Sequence, residues 1–302
     1  AGAASLTKTG TANLTNATPN TYTGPTVINQ GQLVVGVASV ANTSGALGNN
    51  SAVTLGNDST AALNLNNFNT QVGSLAGGGA AGGNVALGTA NLTSGADNTS
   101  TTYAGAISGS GGLTKIGKGT LTLSGTNSAS GIYSVNSGTV VVTGSGAVNA
   151  TTNNSGRVLV GTVSGANGAM YQNGANSVVC VGNGGGSGQL GSVAGASGYY
   201  NLSAGSFVIP NGGEFDPAGS GGGAGTFGQF DMSGGTVLVG NTNVTSASYF
   251  LPCRGGAGES SVVNFSGGSI IFNPLMGDGS YGGYECNWSG GGAAQTSVTT
   301  IS

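Results

Sequence analysis

The sequence predicts an all-β protein, a single-stranded parallel β-helix (β-solenoid) of roughly ten to fifteen rungs with almost no helix. Three observations support this fold class. A stretch of strands and turns occurs twice, short apolar runs alternate with glycine turns along the chain, and 64 of the 302 residues are Gly. Only 5 residues are Lys or Arg and 8 are Asp or Glu, so several strong helix formers are nearly absent.

The internal repeat relates residues 6–35 to residues 113–142, a shift of 107 positions (113 − 6) without a gap. Of these 30 positions 12 are identical, and both copies begin with the triplet Leu-Thr-Lys. Lys is rare in this chain, so its shared position is informative. A unit of this kind cannot bury its apolar face alone, whereas stacked units form a continuous core.

A second pattern dominates the later part of the chain, where residues 200–209, 230–239 and 263–272 align with one another. The glycines at the centres of these segments follow one another at a nearly constant interval. We interpret each glycine as a corner, because Gly adopts positive φ readily and a β-branched strand follows it. The pattern occurs at Gly31, Gly138, Gly156, Gly205, Gly235 and Gly268.

Taken in order, residues 1–36 form the first copy of the repeat, and the following segment alternates short strands with Gly and Asn-Asp turns. Within that segment the apolar runs predict strands at residues 52–55, 62–65 and 72–75, each short enough for one rung. We expect two halves of one continuous solenoid. Residues 1–145 hold the repeat, and residues 146–302 hold the Ser-Gly-Gly pattern.

Composition excludes several classes of protein. Disordered chains combine low hydrophobicity with high net charge, whereas this chain has 37% hydrophobic residues, 4% charged residues and a net charge of −3. Five basic residues along the whole length exclude a nucleic-acid footprint and a polybasic membrane patch. No apolar run approaches the roughly 18 to 20 residues of a membrane-spanning helix. A surface with so little charge favours self-association.

The phrases Leu-Thr-Lys-Ile-Gly-Lys-Gly-Thr-Leu-Thr-Leu-Ser-Gly at 113–125 and Asn-Thr-Tyr-Thr-Gly-Pro-Thr-Val at 20–27 closely resemble the autotransporter-associated β-strand repeat, or passenger-associated transport repeat. The second copy departs from the family pattern at residues 128–131, which read Ser-Ala-Ser-Gly. The resemblance covers about the first half of the chain. The second half is similar only to the looser Ser-Gly-Gly-Thr repeats of large secreted bacterial surface proteins.

The resemblance implies an exported, right-handed β-helical rod that is secreted or displayed at a bacterial cell surface. The start Ala-Gly-Ala-Ala, without Met, agrees with a removed export signal. A complete autotransporter also carries a C-terminal membrane barrel. Residues 299–302 do not resemble such a barrel, so we do not expect this polypeptide to secrete itself.

The chain contains no His, which removes the usual general base, the Ser-His-Asp triad and most zinc sites. Glu214 and Asp216 lie close together in sequence, and Asp231 falls in the following repeat. These three carboxylates could form an acid pair or a weak calcium site, although a polar loop around residues 211–213 is the simpler interpretation. A polysaccharide-cleaving enzyme would require them to converge in one groove.

The lysines of the repeats have two possible roles. Lys8, Lys115 and Lys118 could bind anionic glycans. The simpler expectation is that they are solvated turn residues, which discourage pairing between exposed strand edges. The glycine-rich loops at 182–188 and 219–225 lack the Gly-Lys-Ser/Thr sequence of a phosphate-binding loop.

The interval between Cys253 and Cys286 equals that between Gly235 and Gly268. We predict that the two cysteines lie on adjacent rungs and form a disulfide, because the rung spacing matches the Cα separation that a disulfide requires. Such a bond fits an oxidising extracellular setting. Cys180 is expected to be a buried core thiol, with an intermolecular link as the alternative.

Aromatic residues cluster near the C-terminus. They could form a sugar-stacking platform or a cap over the last rung, and the cap is the simpler interpretation because solenoid ends must be covered. The residues concerned are Tyr281, Tyr284 and Trp288.

Together these observations predict a non-enzymatic, exported structural protein with no catalytic residue, metal or cofactor. We expect it to build or decorate an extracellular fibre or surface layer by end-to-end association with copies of itself. The alternative is an autotransporter-type adhesin passenger that binds surface glycans or neighbouring cells. Nucleic acid and membrane insertion are not expected.

Overall fold

The computed structural model describes residues 3–148, 157–181, 187–210, 212–219, 223–240, 248–252, 258–272, 283–284 and 296–301. The chain divides into two compact units, unit 1 (Ala1–Gly131) and unit 2 (Ile132–Ser302). The boundary falls within the second copy of the repeat, and the expected halves 1–145 and 146–302 of one continuous solenoid stay a prediction. The described residues contain no helix, and so none that could span a membrane.

Unit 1 consists of very short strands, most of them three residues long. In chain order they are β1 (Leu6–Lys8), β2 (Leu14–Asn16), β3 (Thr26–Ile28), β4 (Gln32–Val35), β5 (Val53–Leu55), β6 (Ala62–Asn64), β7 (Thr70–Val72), β8 (Leu75–Gly77), β9 (Asn84–Ala86), β10 (Leu92–Ser94), β11 (Thr101–Tyr103), β12 (Ile107–Ser108), β13 (Leu113–Lys115), β14 (Thr120–Leu123) and β15 (Thr126–Asn127).

These strands stack into three parallel faces. Face A of unit 1 contains β1, β3, β5, β8, β11 and β14, and face B contains β2, β4, β6, β9, β12 and β15. Face C contains β7, β10 and β13. Six levels are therefore described on faces A and B, and Leu, Val and Ile side chains from successive levels fill the interior between the faces.

One predicted strand in unit 1 is wrong. The run at 72–75 does not form a single strand, because Val72 ends β7 and Leu75 begins β8, with a corner at Gly73 and Ser74 between them. Val72 and Leu75 are both fully buried, so each points into the core from a different face. An apolar run that wraps round a corner has the same composition as a strand, which explains the error.

The two copies of Leu-Thr-Lys occupy different faces of unit 1. The first copy is β1 on face A, paired with β3, and the second is β13 on face C, paired with β10. The interval between the copies is therefore not a whole number of coils. The repeat specifies a local strand and corner rather than a fixed position around the solenoid.

Unit 2 has longer strands, and two of them continue through a corner. They are β16 (Tyr133–Val135), β17 (Gly138–Val142), β18 (Ala147–Val148), β19 (Val158–Val160), β20 (Asn167–Gln172), β21 (Val178–Cys180), β22 (Ser187–Leu190), β23 (Ser197–Leu202), β24 (Ser206–Ile209), β25 (Glu214–Pro217), β26 (Phe227–Val239), β27 (Tyr249–Phe250), β28 (Ser260–Phe272), β29 (Gly283–Tyr284) and β30 (Thr296–Ile301).

Unit 2 also has three parallel faces. Face A contains β17, β20, β23, the first part of β26, the first part of β28, and β30. Face B contains β18, β21, β24 and the later parts of β26 and β28, and face C contains β16, β19, β22, β25, β27 and β29. Six levels are described on faces A and C. The predicted parallel β-helix is confirmed.

The predicted alignment of the three later segments agrees with the strand pairing of unit 2. Tyr200 pairs with Phe230, and Phe230 with Val263, which reproduces the intervals between the aligned glycines. The corner glycines adopt positive φ as expected, whereas Gly156 lies outside the described residues. The five observed values are 72° at Gly31, 72° at Gly138, 85° at Gly205, 74° at Gly235 and 93° at Gly268.

The interior of unit 2 contains a cluster of aromatic rings among its aliphatic side chains. Phe230 is its centre, with ring centroids 5.6 Å from Tyr200, 5.4 Å from Phe207 and 5.3 Å from Phe250. These rings come from different levels and faces, so each contact ties one coil to the next. Aromatic pairs at these separations stabilise a core beyond the area that they bury.

Candidate functional site

The outer surface of face A in unit 2 carries polar and aromatic side chains in continuous columns. Side chains alternate between the interior and the solvent along a strand, and the parallel pairing keeps the outward positions of neighbouring levels aligned. One outward column contains Val141, Tyr171, Asn201, Asp231 and Asn264, which pair successively. The adjacent column contains Thr139, Ala169, Tyr199, Gln229 and Val262.

These columns border an open groove of about 420 Å³. Tyr171 is exposed, and its ring centroid lies 5.5 Å from that of Tyr199 on the next level, with an edge-on arrangement of the rings. The groove has both apolar ring surface and polar groups, and no charged side chain lines it. Its side chains include Thr139, Asn167, Tyr171, Tyr199, Phe227 and Gln229.

Asp231 organises the polar side of the groove. Its Oδ2 accepts a hydrogen bond from the Tyr199 hydroxyl at 2.9 Å, and its Oδ1 accepts one from Asn264 Nδ2 at 2.8 Å. Gln229 Nε2 donates to both carboxylate oxygens, at 3.0 and 2.9 Å. Asn201 Nδ2 lies 3.3 Å from the Tyr199 hydroxyl and donates to it. The carboxylate therefore holds side chains from three levels in fixed positions.

The environment keeps Tyr199 protonated. Burial, together with the hydrogen bond to Asp231 and the negative charge of that carboxylate, raises the pKa of Tyr199 to about 12. A phenol with this pKa remains a hydrogen-bond donor throughout the physiological range.

Two glycines let the backbone of face A approach the neighbouring corner closely. A Cβ on Gly168 would meet the Val135 carbonyl oxygen, and a Cβ on Gly198 would meet the Val160 carbonyl oxygen. Both glycines line the groove. The sequence fits this geometry because only Gly lacks the atom that would collide.

The lysines of the repeats are placed differently from the expectation. Lys8 and Lys115 are buried, with 6% and 2% of their surface exposed, so the prediction of solvated turn residues is wrong for both. Lys8 Nζ donates to the carbonyl oxygens of Gly10 at 2.5 Å and Gln30 at 2.9 Å. Lys115 Nζ donates to those of Ile116 at 2.6 Å and Gly117 at 3.1 Å. Lys118 is exposed as predicted.

The buried lysines donate to backbone carbonyls at corners, where the chain leaves the strand ladder. Hydrogen bonds from an ammonium group are stronger than those from neutral donors. Burial lowers the pKa of Lys115 to about 8, and the negative charge of Asp97 opposes this shift. Neither Lys8 nor Lys115 is available to bind an anionic glycan.

The three carboxylates considered for catalysis do not all lie on one face. Glu214 and Asp216 belong to β25 on face C, whereas Asp231 lies on β26 on face A. Asp216 is fully buried and pairs in register with Gln189. No group of three or more His, Cys, Asp or Glu side chains that could hold a metal ion occurs in the described part of the chain.

Several other predicted site residues cannot be placed. Cys253 and Cys286 lie outside the described residues, so the disulfide stays a prediction. Tyr281 and Trp288 also lie outside them, and only the backbone of Tyr284 is described, in β29.

Cys180 is a free thiol in the core, 3% exposed, and burial raises its pKa to about 11.

Sequence reasoning missed the groove residues Tyr171, Tyr199 and Gln229. A signal was present, because Gly168 and Gly198 are separated by one coil and each begins a segment that alternates inward and outward positions. Alignment of these segments would have shown Tyr171 and Asn201 in one column.

Comparison with known proteins finds a known repeat in two segments of the chain and one similar protein. Residues 6–35 and 113–142 match the Passenger-associated-transport-repeat. The matched residues coincide with the internal repeat found from the sequence alone, so the predicted resemblance is confirmed.

The chain is also similar to part of the Adhesin BmaC autotransporter of Brucella suis biovar 1 (strain 1330). The two are 44% identical over 129 residues, which is 42% of this chain and 4% of the relative. The chain thus spans a small part of the length of the protein that it matches. No solved structure matches it. The repeat and this relative confirm the predicted location outside the cell or at the cell surface.

Proposed function

We propose that this chain is a segment of an exported, adhesin-like surface protein and that it acts by presenting the outer faces of stacked coils, not by catalysis. The observation that carries the proposal is the open groove on face A of unit 2, where aromatic and polar side chains align on successive levels. The similarity to an adhesin autotransporter supports it. The separation of Glu214 and Asp216 from Asp231 supports a non-enzymatic role.

Surface display tests this proposal. The chain is fused to a display scaffold on a bacterium that does not adhere, and cells attached to an epithelial layer are counted. Several-fold more attachment than with the empty scaffold is the expected result. Equal attachment, with the chain detected at the surface by antibody, would contradict the adhesin-like role.

A second candidate function is the assembly of an extracellular fibre or surface layer from copies of this chain. Its support is the scarcity of charge, since only 5 residues are Lys or Arg and two of these, Lys8 and Lys115, are buried. Little electrostatic repulsion then opposes association.

Light scattering of the purified chain over a wide range of concentration tests whether the chain assembles into a fibre. We expect the mean mass to grow with concentration and to depend little on salt, because few charges are involved. A constant monomer mass under all conditions would exclude self-assembly by this chain and leave the adhesin-like role unaffected.

A further inference from the structure

We propose that the groove on face A of unit 2 binds a neutral oligosaccharide through Tyr171 and the amide side chains next to it. The proposal rests on the adhesin-like function and names the ligand class for it. The groove of about 420 Å³ lies within the range of roughly 300 to 1,000 Å³ that is typical of small-ligand sites.

Tyr171 provides the apolar part of this site. The side chain is 38% exposed although it is a large aromatic on a sheet face, and its only ring partner among the described residues is Tyr199 at 5.5 Å. Tyrosine combines an apolar ring with a polar tip, a combination suited to surfaces that must bind and remain soluble. The C–H face of a pyranose matches such a ring, and the sugar hydroxyls extend beyond it.

The polar part is pre-organised before a ligand arrives. Asp231 receives hydrogen bonds from Tyr199, Gln229 and Asn264, so these side chains do not need to be ordered on binding. Side-chain amides present both a donor and an acceptor, as a sugar hydroxyl does. Fixing these groups in advance lowers the entropic cost of association.

Charge selects a neutral ligand. No side chain that lines the groove is charged, and Asp231 beside it is negative. A sulfated or uronic-acid saccharide would need a cation, and no Lys or Arg side chain lines the groove. The geometry therefore favours neutral hexose or N-acetylhexosamine units over acidic ones.

Saturation-transfer NMR and calorimetry on the full chain test the proposal. The probes are neutral tetrasaccharides of glucose, galactose, mannose and N-acetylglucosamine, with a heparin tetrasaccharide as the charged comparison. We expect binding of at least one neutral probe. Tyr171→Ala should weaken it at least about fivefold, whereas Tyr171→Phe, which keeps the ring, should remain within about threefold of wild type. Circular dichroism verifies that both variants fold.

Three results would overturn the proposal: no binding of any neutral probe, equal affinity in Tyr171→Ala, or binding of heparin alone. A further result would also overturn it: the wild type binds no saccharide, and Tyr171→Ala no longer grows in mass with concentration. The groove would then be a contact between copies of the chain. The adhesion of cells that display the chain distinguishes the groove proposal from the adhesin-like function. If the wild type adheres and Tyr171→Ala adheres equally, the groove proposal fails and the adhesin-like function stands.

Discussion

The lysine of the Leu-Thr-Lys triplet is a structural residue that satisfies the backbone at a corner. In both copies the ammonium group is buried against carbonyl oxygens of the residues that follow it. Its position in the repeat therefore reflects a local hydrogen-bonding requirement of the turn. The structural role of this lysine explains its presence in a chain with few charged residues, and no ligand is needed to account for it.

The buried ammonium of Lys115 predicts a specific pH dependence. Its folded-state pKa of about 8 lies below the unfolded value, so between these two values the unfolded chain binds more protons and the free energy of unfolding rises with pH. Relative to Lys115→Met, wild type should gain up to about 3 kcal/mol from pH 8 to pH 10.5, since one pKa unit corresponds to about 1.4 kcal/mol. Denaturant unfolding at several pH values measures this difference.

Lys118 is the matched control because it is exposed and follows closely in the same copy of the repeat. Lys118→Met removes an exposed positive charge and so measures the general effect of losing one charge over the same pH range. NMR titration of the Lys115 side chain gives the pKa directly. A value near that of a free lysine would contradict the lowered pKa of Lys115.

The corner glycine Gly31 provides a second prediction at a single residue. Gly31 and Gly10 share a φ of 72°, but a Cβ on Gly31 would meet the Gly10 carbonyl and Lys8 Nζ, whereas nothing lies within 4 Å of one on Gly10. Gly10→Ala should lower the free energy of unfolding by about 1 to 2 kcal/mol, the strain of an L-residue in the left-handed region. Gly31→Ala should cost clearly more, as measured by thermal unfolding.

If the two glycine variants unfold at the same temperature, the close approach at Gly31 is not present. The comparison is informative because the two glycines have the same φ. The space available to the new methyl group differs between the two positions.

Among the elements, β26 shows how one strand serves both the core and the surface. Phe230 points inward to the aromatic cluster, and Phe227 on the same strand points outward and lines the groove. Phe230→Ala should destabilise unit 2 by about 3 to 5 kcal/mol, the usual range for removing a buried aromatic ring. Phe227→Ala should cost much less, and urea unfolding followed by tyrosine fluorescence compares the two.

A result in which Phe227→Ala is as destabilising as Phe230→Ala would contradict the assigned alternation of β26. Phe230→Leu refines the test, because it keeps most of the apolar volume. Its cost should lie between the other two.

Parts of these elements follow directly from the sequence. The intervals between Gly205, Gly235 and Gly268 predicted which segments of unit 2 align, because strand-turn-strand units of nearly constant length stack in phase. The corner at Gly73 was not predictable from composition, since an apolar run looks the same whether or not it bends. Burial of Lys115 was missed because it depends on carbonyls of its own corner, which periodicity does not reveal.

For the molecule as a whole, each coil contributes a surface strip as well as a layer of core. Residues far apart in sequence, such as Tyr171 and Asp231, come to lie in one column only through stacking. The groove therefore exists only if the coils are in register. Sequence patterns predicted the coils, but the groove required knowledge of which outward positions meet.

The groove depends above all on the register of face A, and distances between spin labels test that register most directly. Labels on cysteines introduced at Val141 and Asn264, in a background without the native cysteines, lie four levels apart in one outward column. With about 4.8 Å per level, electron paramagnetic resonance should give roughly 19 Å for this pair and roughly 10 Å for Asn201 with Asn264. Broad distributions, or equal distances for both pairs, would contradict the stacked coils and with them the groove.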